Sequence, residues 1–150
     1  MMKEIYKITE DGERISSKWF DDQYAKGIFP KKKIVGAQWE NNGKLVTKCY
    51  KQASPPEFLP DKTGVIFIER DGERKGGELV FFEPDGRERF RVSPTVGLEG
   101  SEPNNASFYY VECNHKDRIC YVYLNDGNSD YRARLNIETG KLTDFEKTRV

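Results

Sequence analysis

The chain is short of the residues that most often carry chemistry. It has one histidine, three cysteines and two tryptophans in 150 residues, and no excess of charge, with 25 Lys plus Arg against 25 Asp plus Glu. Each scarcity narrows the choice of function. A Ser-His-Asp or Cys-His centre would have to use His115 as its base. Its surroundings, Asn114-His115-Lys116-Asp117, read as the tip of a hairpin, where water cannot be excluded, so His115 is read as incidental. Cys49, Cys113 and Cys120 are too few for a disulfide scaffold and would leave one thiol over. Packed, reduced thiols and a cytoplasmic location are the simplest reading; the alternative is that Cys113 and Cys120 flank the hairpin directly as cross-strand neighbours, which would allow a disulfide. Cys113, His115 and Cys120 offer only three zinc ligands at a spacing that matches no strong pattern, so no metal and no cofactor is expected. A polyanion binder usually shows a basic excess, which is missing here. No stretch approaches the roughly 20 apolar residues that span a bilayer, and the start, Met1 to Tyr6, has no apolar signal-like core.

What is present is aromatic and turn-rich. Nine Phe and eight Tyr supply large buried areas although apolar residues make up only 36% of the chain. Asp-Gly pairs at 11–12, 71–72, 85–86 and 126–127, and Asn-Gly at 42–43, accept the positive φ angles of tight hairpins. Between them lie short β-branched and aromatic runs. Tyr131, Ala133, Leu135 and Ile137 alternate with Asp130, Arg132, Arg134 and Asn136, a strand with one dry and one wet face. Glu88, Phe90 and Val92 alternate with Arg87, Arg89 and Arg91. Val65–Ile68 and Leu79–Phe82 are continuous apolar runs, as in strands covered on both faces. Lys33–Trp39, Leu45–Tyr50, Phe108–Val111 and Ile119–Leu124 complete the strands, with one helical turn expected at Asp21–Lys26.

The runs group into three meanders, at about Ile5–Tyr50, Gly64–Val92 and Ser107–Phe145, separated by long connections at Gln52–Thr63 and Ser93–Ala106. The predicted fold is all-β and antiparallel, a single hairpin-and-meander domain over 1–150: a sandwich, a curled sheet or a partial propeller-like array, with at most one short helix. Two segments, 79–92 and 121–135, share a strand, an Asp-Gly turn and an Arg-bearing strand. Propeller blades repeat in this way, but convergent hairpin chemistry explains the similarity at least as well.

The most specific positional feature is arginine. Arg87, Arg89 and Arg91 should share one strand face, and Arg132 and Arg134 another. If the strands are neighbours, five guanidinium groups line one surface suited to carboxylate or phosphate. The plainer reading pairs them with Glu83, Glu88 or Asp130. Gly72–Gly77 is glycine-rich and basic but lacks the Gly-Lys-Ser/Thr of a phosphate loop. No spacing selects a catalytic carboxylate pair among Asp21, Asp22, Glu99 and Glu102. Trp19 and Trp39 could stack on sugars, although Trp39 alternates with Val35 and Ala37 as a core residue would.

The sequence therefore points to a small, soluble, non-catalytic protein-binding module, in one concrete form an inhibitor or immunity-type protein that caps a toxin or enzyme. The contacts would be Arg87, Arg89, Arg91, Arg132 and Arg134 with the loop acids Glu99 and Glu102. A protein partner is expected ahead of nucleic acid, and no membrane. The alternatives are a single-stranded nucleic-acid-binding β domain and a hydrolytic or carbohydrate-active enzyme.

Overall fold

The structure is a computed structural model that describes residues 2–28, 32–51, 56–59, 63–70, 77–94, 106–114 and 119–148, without the side chain of Asp21. Among the described residues, twelve strands form three four-stranded antiparallel sheets, accompanied by one helix. The first sheet holds β1 (Met2–Thr9), β2 (Arg14–Ser16), β3 (Ile34–Asn41) and β4 (Lys44–Cys49). The second holds β5 (Glu57–Phe58), β6 (Val65–Glu69), β7 (Glu78–Phe82) and β8 (Glu88–Val92). The third holds β9 (Ser107–Asn114), β10 (Ile119–Asn125), β11 (Asp130–Leu135) and β12 (Leu142–Lys147). The second and third are meanders in strand order, as expected.

The first sheet departs from that expectation, with the order β2-β1-β3-β4. The cause is helix α1 (Ser17–Ala25), which carries the chain back so that β3 pairs with the far side of β1. The helix starts four residues before the expected turn. The Ser16 side chain accepts the Trp19 N–H at 3.5 Å and so caps the N-terminus. Gly27, at φ +77°, provides the left-handed exit. At Asn42-Gly43, both residues have positive φ, and a two-residue turn joins Asn41 to its partner Lys44.

The second sheet lies between the other two. Ile66, Ile68, Leu79, Phe81 and Val92 pack against Phe108, Val111, Val122, Leu124, Ala133 and Leu135 of the third sheet. Val65, Phe67, Val80 and Phe82 pack with Met2, Ala37 and Trp39 of the first. Every residue of Val65–Ile68 and Leu79–Phe82 is buried, which is why these runs do not alternate. Trp39 is fully buried and donates its indole N–H to the Pro84 carbonyl at 2.6 Å. The two similar segments occupy different places: the third and fourth strands of one sheet, the second and third of the other. Their likeness is therefore shared hairpin chemistry rather than equivalent blades.

Cys113 and Cys120 face each other across β9 and β10 and form a disulfide, Cα to Cα 4.1 Å, which corrects the expectation of free packed thiols. The Cys113 N–H donates away from β10, to Glu57 at 3.3 Å, so the pair sits at a non-hydrogen-bonded register position, where strands approach most closely. Cys49 is exposed and free. No helix among the described residues is long and apolar enough to cross a membrane.

The two tryptophans should respond oppositely to truncation. Trp39→Ala is expected to cost about 3–5 kcal/mol of unfolding free energy, whereas Trp19→Ala, at a site 52% exposed, should stay within about 0.5 kcal/mol of the parent. Urea unfolding followed by circular dichroism measures both.

Candidate interaction surface

The five arginines do not form one surface through paired strands, because β8 ends the second sheet and β11 lies inside the third. Arg87, in the turn before β8, is highly exposed and pairs with Asp85 at 2.7 Å. Arg89 is held on several sides. It grips both oxygens of Glu83, donates to the Ile137 carbonyl at 2.9 Å and lies over the buried Phe81 ring. It thus ties the second sheet to the turn after β11. Arg91 reaches Glu69 at 2.6 Å, Glu88 at 2.7 Å and Glu78 at 3.4 Å. Arg132 pairs with Glu146 at 2.9 Å and lies over the Tyr121 ring. Arg134 has no ion-pair partner among the described residues and lines an open groove of about 470 Å³ with Asn136, Glu138, Lys141, Thr143 and Asp144. Glu99, Glu102 and His115 lie outside the described residues. No group of three or more potential metal ligands occurs among the described residues.

What the structure assembles around Arg132 and Arg134 is a tyrosine face. On the third sheet, Val111, Cys113, Cys120, Val122, Ala133 and Leu135 point into the core, so the intervening residues point out. Two rows of cross-strand neighbours result. One runs Tyr110, Tyr123, Arg132, Glu146, and the next runs Glu112, Tyr121, Arg134, Thr143. The register shifts between Tyr123 and Leu124, which pair with Tyr110 and Phe108, so Tyr109 is an extra residue in β9. Such a bulge sets two residues of one strand opposite one of its partner and re-aims a side chain. Tyr109 and Tyr110 are accordingly both 42% exposed. Both rings flank Tyr123, at centroid distances of 6.2 and 5.7 Å.

Carboxylates border these rings. The Tyr123 hydroxyl donates to Glu112 at 3.1 Å. Burial, and after it this hydrogen bond, pushes the Tyr123 phenol up. Burial first, then the charge of Glu57, pushes Tyr110 up to about 12. Beside Tyr110 a cleft of about 330 Å³ opens between β1, α1, β5 and β9, lined by Lys7, Ser17, Glu57 and Phe58. Lys7 is buried there with its ammonium 3.9 Å from the centre of the Phe20 ring. Aromatic planes, donors and charges of both signs equip this surface for recognition.

Arginine spacing pointed to Arg132 and Arg134 but not to the tyrosines beside them. Alternation in Tyr121-Val122-Tyr123 carried the signal for β10. Strict alternation in β9 would send Tyr109 and Tyr110 to opposite faces, and the bulge that unites them has no mark in the sequence.

The Arg89–Glu83 pair gives a dependence on pH. Hydrogen bonding to Arg89 holds the Glu83 carboxyl below its ordinary 4.5. A carboxylate depressed in the folded state stabilises it above the ordinary value, and that contribution disappears as pH falls through the lowered one. Glu83→Gln should therefore flatten the acid side of the stability profile, and Arg89→Ala should lower stability near neutral pH by about 1–3 kcal/mol. Thermal melts between pH 2.5 and 7 test both.

No family model matches the sequence, and no curated protein matches it. The fold is similar to that of a chain in the solved structure of Tne2 in complex with Tni2, with a TM-score of 0.76 and 17% sequence identity, over 99% of this chain and 100% of that one. At this identity the likeness is one of fold.

Proposed function

We propose that this chain is a non-catalytic protein-binding module of the inhibitor or immunity type, which caps a partner protein through the outer face of its third sheet. The observation that carries the reading is the cluster of Tyr109, Tyr110 and Tyr123 beside Arg132 and Arg134. Tyrosine and arginine dominate the energetically decisive positions of protein interfaces, because each joins a large flat contact area to hydrogen-bonding groups. The solved chain of similar fold, found in a complex of Tne2 with Tni2, supports the reading. Mixed charge on the face suits selective docking, since misplaced like charges penalise wrong partners. Of the five arginines, Arg87, Arg89, Arg91 and Arg132 are engaged with acids of their own sheet, so the contact is assigned first to Arg134, with Arg132 contributing through its place beside the tyrosines.

A tyrosine and arginine face also fits single-stranded nucleic acid, whose bases stack on aromatic rings. Zero net charge favours the protein.

Affinity capture from the native source, with mass spectrometry at low and high salt, should return one stoichiometric protein partner, weakened by salt. Tyr123→Ala and Arg134→Glu should each weaken capture by roughly 5- to 30-fold without loss of the folded circular dichroism spectrum. Nucleic acid in the partner's place, or a partner held equally by both variants, would overturn the assignment.

A further inference from the structure

The chain uses aromatic rings to hold its own cations. Lys7 lies over Phe20, Arg14 over Tyr6, Lys48 over Phe82, Arg89 over Phe81 and Arg132 over Tyr121. No cation among the described residues lies over Tyr109, Tyr110 or Tyr123. Yet these rings have the properties of a cation subsite. The bulge sets two rings against one, with planes inclined at 48° and 49° to that of Tyr123. Exposed rings inclined to one another leave ring faces open to an entering guanidinium or ammonium group, which the ring quadrupoles attract. Carboxylates strengthen the field: Glu112 holds the Tyr123 hydroxyl, and Glu57 acts on Tyr110 from the neighbouring cleft. Tyr24 of the helix lies within electrostatic reach of Tyr110. The nearby cations are already engaged, Arg132 with Glu146, the Tyr121 ring and the Tyr123 hydroxyl, and Lys7 with Phe20.

We propose that Tyr109, Tyr110 and Tyr123, with Glu112, form a subsite for a basic side chain, arginine or lysine, presented by a protein partner. This deepens the reading above and rests on it. A cation enters against the rings while its charge is met by Glu112 and Glu57. An acidic or uncharged residue at that point of the partner loses both contributions. The subsite thereby sets register on the sheet face, with Arg134, which has no ion-pair partner among the described residues, placed one strand away to meet a partner acid.

The test needs no partner. The full chain, with carbon-13-labelled tyrosine, is titrated with N-acetyl-arginine amide, and separately with N-acetyl-citrulline amide, the neutral isostere. Capped arginine should move the ring signals of Tyr109, Tyr110 and Tyr123 saturably, and capped citrulline should bind roughly 2- to 5-fold more weakly. Glu112→Gln should weaken arginine binding by a similar factor while leaving the remaining tyrosine signals in place, which shows that the fold is kept. Absence of movement at these rings, equal binding of citrulline, or an unchanged affinity in Glu112→Gln would each overturn the subsite. Loss of the subsite alone would leave partner capture and its sensitivity to Arg134→Glu intact, whereas failure of the wider reading would show as no protein captured at all.

Discussion

Burial of the second sheet on both faces is the constraint from which the rest of the structure follows. Its two central strands send alternate side chains into two separate cores, one shared with each neighbouring sheet. A strand in that position can spare no residue for water, so polar groups collect at its ends, where Glu69 and Glu78 meet Arg91. The outer two sheets each need only one apolar face. Their opposite faces are released from packing, and the tyrosine and arginine rows occupy one of them.

The same arrangement governs the edges. β9 ends the third sheet and would present unpaired backbone groups, a template for adventitious strand pairing. Side chains of the second sheet occupy part of that edge. Arg70 donates to the Phe108 carbonyl at 2.6 Å, and Glu57 accepts the Cys113 N–H. Part of the β9 edge is thereby closed to further strand pairing.

Much of the fold was legible because the underlying physics is local. Asn42-Gly43 encodes a turn, alternation from Asp130 to Leu135 encodes a half-buried strand, and the apolar runs at Val65 and Leu79 encode burial on both sides. The failures have local causes too. The helix begins before the expected turn because Ser16 caps it, a serine that no apolar periodicity marks. β5 lies within a proline-containing connection and, being two residues long, leaves no periodicity in the sequence. The order of the first sheet depends on where the helix returns the chain, which is a tertiary matter. Among the arginines, type and spacing identified candidates, but only three-dimensional pairing separates Arg89, committed to Glu83 and Phe81, from Arg134, which is not so committed. The disulfide likewise required the register of β9 against β10.

A sheet face without packing duties has a consequence over evolutionary time. Exchanging an exposed side chain usually shifts stability by no more than about half a kcal/mol, so the outer rows of the third sheet can be rewritten residue by residue while both cores stay fixed. Such a scaffold can change its surface chemistry without refolding.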